Sequence, residues 1–188
     1  MYKKSPKEYR EAKTFYPLQL KFSFSANDLL SIQNITKYIT FASAKNIPLW
    51  MDLVHLVIDG FPYLNEEEYL NVLKKSILEK RAFIFKKNHT AIAIMIINYE
   101  TGNIDFFGIH PLYKKTDIAK EFITKIQNDF FKNRDISITT FRKNDKADTG
   151  YRKLYKELGF IESELLIEFG YPTQRFLLLP SKGETANV

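Results

Sequence analysis

Apolar and polar positions follow two rhythms along this chain, and the change from one to the other marks its elements. Leu18-Gln19-Leu20-Lys21-Phe22-Ser23-Phe24 alternates strictly, the period of a half-buried strand. Asn27 or Asp28 can then cap a helix. Leu29, Leu30, Ile32, Ile35 and Ile39 recur near helical spacing, and Pro48 interrupts the pattern. A second helix is predicted over about 49–59 from Trp50, Leu53, Val54 and Val57, with Gly60 and Pro62 as its stop. A third follows Asn65, whose side chain can accept from first-turn amides. Glu68 stands three residues on, as in a capping box, and Glu66 and Glu67 complete an acidic turn suited to the positive end of the helix dipole. Tyr69, Val72, Leu73 and Ile77 extend its apolar stripe.

Beyond Ile77 the period shortens. Ala82-Phe83-Ile84-Phe85 predicts a strand and Lys87-Asn88-His89 a turn. The unbroken apolar run 91–97 predicts a strand buried on both faces. Thr101-Gly102-Asn103 turns the chain into a strand over 104–109 that Pro111 ends, and a helix is predicted over about 116–131. Ile136-Ser137-Ile138-Thr139-Thr140 is β-branched, and a helix from about Asp148 should stop at Leu158-Gly159. Two last strands, 164–169 and 175–179, bracket a hairpin turn at Gly170-Tyr171-Pro172-Thr173. The order β-α-α-α-β-β-β-α-β-α-β-β predicts an α/β protein with a mixed sheet, antiparallel at first and then carrying a parallel pair. The 188 residues fit one domain over 17–180, with a polar, basic extension at 1–16 and a disordered tail at 181–188.

Composition narrows the chemistry. With 28 basic and 22 acidic residues the net charge is +6, which suits a phosphate-bearing partner or reflects a lysine-rich composition. No block of like charge is long enough to be an interaction tail, so nucleic acid is not indicated beyond what the basic arm 1–13 could offer. The lack of cysteine excludes disulfides, thiolate metal sites and a cysteine nucleophile. His55, His89 and His110 lie far apart with no metal-ligand spacing, so no metal is expected. No run approaches the ~18 apolar residues of a membrane span. A cytoplasmic location without a membrane partner is the expectation, and a homodimer is compatible with the sequence.

The stretch 104–119 reads strand, proline, basic loop, helix. A helix start offers unpaired N–H groups and partial positive charge, and with Lys114 and Lys115 before it this is a natural seat for a pyrophosphate. The run Ile109-His110-Pro111-Leu112-Tyr113-Lys114-Lys115-Thr116-Asp117-Ile118-Ala119 resembles the central coenzyme A motif of the GNAT superfamily. That motif is an apolar residue, any residue and Pro, then Arg or Gln, two variable residues, Gly, one residue, and Gly or Ala. About 40 residues later, Tyr155-Lys156-Glu157-Leu158-Gly159-Phe160 is similar to the superfamily's Tyr-x-x-Leu-Gly-Phe helix end, and the element order over 17–180 also matches. Lys114 stands at the Arg or Gln position and lacks the planar fork. Asp117 replaces the usual glycine: its side chain restricts backbone approach and its carboxylate repels a phosphate, although an acid in the first turn suits the helix itself. Asp148 stands where the family often has Asn.

The resemblance implies an N-acetyltransferase that moves an acetyl group from acetyl-CoA to an amine. It implies that the strand before the loop splays from its parallel neighbour, with Phe107, Gly108 and Ile109 along the pantetheine arm. The backbone of Lys114, Lys115, Thr116, Asp117, Ile118 and Ala119 would hold the pyrophosphate, and Arg142 and Lys143 the adenosine phosphate. The helices over 28–78 and the hairpin over 168–175 would form the acceptor side. Without cysteine, attack is direct, in a ternary complex. Tyr155 matches the family's thiolate acid, and a phenol of ordinary pKa ~10 suits that role. Two carboxylates compete as general base. Asp105 interrupts an apolar strand, where burial would raise its pKa; Glu168 lies on the penultimate strand. Plainer readings of the two are a salt-bridged strand-end acid and an outward-facing strand residue. A module on the same scaffold that binds CoA without catalysis is the alternative, and the acceptor is not named by the sequence.

Overall fold

In the computed structural model, residues 35–61, 64–114, 117–168 and 170–180 are described. The extension 1–16, the strand and helix predicted over 18–34, and the tail 181–188 lie outside them. The strands are β1 (Ile39–Phe41), β2 (Ala82–Lys87), β3 (Thr90–Ile97), β4 (Asn103–Ile109), β5 (Ile136–Phe141), β6 (Ile161–Glu168) and β7 (Tyr171–Leu178). The α-helices are α1 (Ile47–Val57), α2 (Glu66–Leu78), α3 (Ile118–Phe130) and α4 (Tyr151–Glu157). The seven strands of the described residues join one mixed sheet in the order β1-β2-β3-β4-β5-β7-β6. Neighbours are antiparallel except β4 and β5, which run parallel, as the element order predicts.

The apolar run in β3 is buried from Ala91 to Ile97 because helices cover both faces of the sheet at its centre. On one face Trp50, Leu53, Val54 and Val57 of α1 and Leu73 of α2 form a single cluster with Ile84, Ile94, Ile96 and Phe106. On the other, Phe107 meets Phe122 of α3 with ring centres 5.9 Å apart, and Phe83 meets Phe130 at 5.3 Å. Each such side chain, fully buried, contributes about 1.5–3 kcal/mol. Trp50 belongs to this core: it is 0% exposed, and its indole N–H donates to the Tyr69 hydroxyl at 2.8 Å. Asn65 caps α2 as its spacing predicts, its Oδ1 accepting from the Glu68 amide at 3.1 Å.

Three local expectations are corrected. The helix expected to run on through Ile35 and Ile39 gives way to a 3-10 turn, Ile35–Tyr38, and then to β1. Ile39, Thr40 and Phe41 are β-branched or aromatic, and pairing with Phe85, Ile84 and Phe83 outweighs their helical spacing. The helix expected from about Asp148 starts at Tyr151, because Asp148 Oδ1 accepts from the Gly150 amide at 3.0 Å and Gly150 takes φ +95°. The last hairpin turns at Gly170, with φ +77°, and Tyr171, Pro172 and Thr173 belong to β7. Pro172 is tolerated because β5 ends opposite Thr173, so no ladder hydrogen bond is due on that side. Among the described residues no helix is long and apolar enough to cross a membrane.

Candidate active site

The parallel pair is short. Only Asn103 with Ser137 and Ile104 with Ile138 are in register. Beyond them β4 continues to Ile109 paired with β3 alone, and β5 continues to Phe141 paired with β7 alone. The two strands therefore part and leave a notch, closed at Gly102 and Ser137 and open toward Ile109 and Phe141. The closed end is pinned by the Ser137 amide donating to the Gly102 carbonyl at 3.0 Å and the Ser137 hydroxyl donating to Asn103 Oδ1 at 3.0 Å.

Strand geometry tells which groups face the notch. The His110 amide donates to the Ile92 carbonyl, 2.9 Å, on the β3 side. Amides alternate in direction along a strand. Gly108 therefore also turns its backbone groups to β3, while Phe107 and Ile109 turn theirs toward β5, where no strand among the described residues pairs with them. Gly108 serves packing instead: a Cβ there would lie 3.2 Å from Ile94 Cγ1 and 3.4 Å from Val57 Cγ2. A side chain there would press on Ile94 and Phe106 and meet α1 at Val57.

At the open end His110 Nδ1 accepts from the Leu112 amide at 3.3 Å and starts the 3-10 turn Pro111–Tyr113, which delivers Lys114. The Lys114 ammonium lies 4.5 Å from the centre of the Tyr151 ring, a cation–π contact. Burial lowers the Lys114 pKa, and the Asp148 carboxylate pulls it part of the way back. Beyond Lys114 a groove of about 470 Å³ runs between the start of α3 and α4. Lys114, Lys120 and Lys153 line it together with two acids, Asp117 and Glu157; Ala119, Leu154 and Leu158 give it an apolar wall. Asp117 is exposed and makes no side-chain cap to α3, so its carboxylate does not close the turn on itself.

An unpaired strand edge that opens onto a basic groove at a helix start is suited to a long ligand with an amide-bearing arm and phosphates. No family model and no curated protein matches the sequence. Solved structures do match. An acetyltransferase of the GNAT family from Bacillus cereus is 19% identical over 77% of this chain and 97% of its own, with a TM-score of 0.58. Another from Streptococcus agalactiae is 13% identical over 77% and 95%, with a TM-score of 0.60. A dodecameric spermidine N-acetyltransferase from Vibrio cholerae is 20% identical over 80% and 97%, with a TM-score of 0.54. The chain has the GNAT acetyltransferase fold.

Within the GNAT fold the predicted site residues are placed differently. Phe107, Gly108 and Ile109 edge the notch, and Lys114, Asp117 and Ala119 line the groove. Lys115 and Thr116 lie outside the described residues, and Ile118 is buried beneath the start of α3. Tyr155 is 4% exposed, one turn along α4 from Tyr151, between the rings of Phe160 at 5.8 Å and Phe176 at 6.1 Å. Burial, then the neighbouring Tyr151 and Asp148, raise its pKa well above the ordinary phenol value. The remaining residues stand elsewhere. Asp105 is exposed rather than buried: its carboxylate takes Arg81 Nη1 at 3.3 Å and Asn103 Nδ2 at 2.8 Å. Arg142 and Lys143 line no part of the groove. The Arg142 guanidinium donates to the carbonyls of Leu166 at 2.9 Å and Thr173 at 3.2 Å and ties the last hairpin to the end of β5. Glu168 is half-buried at the end of β6, opposite Tyr171, at the same end of the sheet as the open end of the notch.

Sequence reasoning missed Lys120, Lys153 and Arg152. The two lysines read as solvated helix positions until α3 and α4 are set side by side. Arg152 is 6% exposed and donates to the Phe141 carbonyl at 2.7 Å, Gln174 Oε1 at 2.9 Å and Glu162 Oε1 at 2.8 Å. It fastens α4, and with it Tyr151 and Tyr155, to β5 and β7. A single Arg in a basic sequence carries no mark of burial.

Proposed function

We propose that this protein is an N-acetyltransferase: it binds acetyl-CoA in the notch between β4 and β5, with the diphosphate in the lysine-lined groove, and passes the acetyl group to a primary amine. The observation that carries this reading is the continuity of the two features, since the unpaired backbone of Phe107 and Ile109 leads directly to Lys114 and the start of α3. The notch offers donors and acceptors to the amides of the pantetheine arm. The groove offers three ammonium groups to the phosphates, against which Asp117 and Glu157 act.

The amine nitrogen attacks the thioester carbonyl, the C–N bond forms, the C–S bond breaks, and the thiolate leaves with a proton. Tyr155 keeps its proton across the neutral range because its pKa is raised, and it supplies the hydrogen bond and proton for the departing sulfur. The ammonium proton goes to a carboxylate. Glu168 suits this better than Asp105: Arg81 and Asn103 already hold Asp105, and no ion pair engages Glu168 among the described residues. The spermidine enzyme of the same fold acts on an amine, which favours the amine as acceptor class here.

The presence of Asp117 on the groove wall favours a second reading, a scaffold that binds CoA without turnover. Two measurements together separate the readings. Acetyl-CoA should raise the melting temperature, because a ligand that binds only the native state stabilises it by mass action. It should also release free thiol with at least one member of an amine panel. A shift without thiol release would favour the scaffold; no shift at millimolar ligand would remove both.

A further inference from the structure

At the mouth of the notch stands a buried hydroxyl that has no hydrogen-bond partner among the described residues. Tyr151, the first residue of α4, is 5% exposed. Its ring is held from three directions. Lys114 lies over its face at 4.5 Å, the Tyr155 ring is 5.8 Å away, and the turn after α1 comes close enough that a methyl on Gly60 would meet Cε2 at 3.7 Å. The hydroxyl oxygen is out of reach of solvent and makes no hydrogen bond of acceptable geometry among the described residues. Burial pushes the phenol pKa up, and the Ile109 backbone beside it offsets part of the rise. The Ile109 backbone stands near the oxygen without a hydrogen bond to it, and the O–H proton has no acceptor among the described residues. Buried polar atoms without partners are few in folded proteins and each calls for an explanation, and this one belongs to a residue that lines the groove.

We propose that the Tyr151 hydroxyl is a ligand-binding group of the notch, donating its hydrogen bond to a carbonyl oxygen on the arm of the acyl thioester. The proposal rests on the acyl-CoA reading above and adds a residue to it. The arm carries amide carbonyls and ends in the thioester carbonyl, all acceptors, and the phenol is the matching donor. Because its ring is already fixed, the donor is in place before the ligand arrives, and little freedom is lost on binding.

The test titrates the full chain calorimetrically with CoA and with adenosine 3′,5′-bisphosphate, which lacks the arm. Tyr151→Phe removes the hydroxyl and keeps the ring. It should bind CoA roughly three- to tenfold more weakly, the worth of one neutral hydrogen bond, and bind the bisphosphate as the wild type does. The unliganded variant should melt at or above the wild-type temperature, since a partnerless hydroxyl has left the interior. Equal CoA affinity in the two proteins, or an equal loss for both ligands, overturns the proposal. If the wild type binds neither ligand, the acyl-CoA reading fails first and this one with it; CoA binding that is unchanged in Tyr151→Phe leaves that reading standing.

Discussion

Tyr151 and Tyr155 lie one helical turn apart and are given different chemistry by their neighbours. Tyr155 is enclosed by Tyr151, Phe160 and Phe176, and the rise in its pKa comes first from that enclosure. A phenol in such surroundings stays protonated, which is what the proposed role as acid for a departing sulfur requires. Tyr155→Phe should therefore lower turnover by about a hundredfold or more, the lower end for loss of a general acid, while CoA affinity stays near the wild-type value. Thiol release at saturating substrates, set beside calorimetric binding, checks it. Since a raised phenol pKa puts deprotonation above the ordinary value near 10, Tyr155 should impose no loss of rate as pH rises through the neutral and mildly alkaline range. Unchanged turnover in the variant would return Tyr155 to the core as a packing residue.

Between β4 and β5, a single glycine decides where the notch begins. Gly102 has φ +71°, and a Cβ there would lie 2.5 Å from the Asp135 carbonyl oxygen, a backbone atom that cannot step aside. Its own carbonyl receives the Ser137 amide, so the same residue makes the turn into β4 and holds the start of β5. Gly102→Ala should cost about 1–3 kcal/mol in a denaturant melt, more than the few tenths of a surface substitution. It should also weaken CoA binding, because the pinned end sets how the two strands diverge; a variant as stable as the wild type would show that the pin is dispensable. Most elements around this point were legible beforehand. The run 91–97 and the stripes of α1, α2 and α3 obey the period rules because each lies against a core on a known side. The misread elements are those whose state depends on distant partners. Ile39 to Phe41 form a strand only because β2 offers an edge, and Pro172 enters β7 only because β5 has ended. The site shows the same division. Phe107, Ile109 and Lys114 are neighbours in sequence, so a candidate site can be read from one stretch, whereas Lys120 and Lys153 share a groove only once two helices are packed.

Charge is the property that acts over the whole molecule, and the excess of +6 by itself assigns no partner. What the fold adds is convergence: Lys114 arrives from the loop after β4, Lys120 from α3 and Lys153 from α4, while Asp117 and Glu157 keep the groove from being uniformly positive. Lys153 is also engaged with Glu157 at 3.7 Å on an exposed surface, a pairing weak enough to yield to a phosphate. An electrostatic seat of this kind is screened by salt. The screening length falls from about 30 Å at 0.01 M to about 3 Å at 1 M, so CoA affinity should fall steadily across that range. Lys120→Ala and Lys153→Ala should each weaken binding and flatten the salt dependence, whereas Lys74→Ala, on the exposed side of α2, should shift neither. Glu157→Gln should act in the opposite sense and tighten binding, since it removes a negative charge from the wall without altering its shape. A salt-independent affinity, or an equal effect from Lys74, would mean that the net charge and not the groove attracts the ligand.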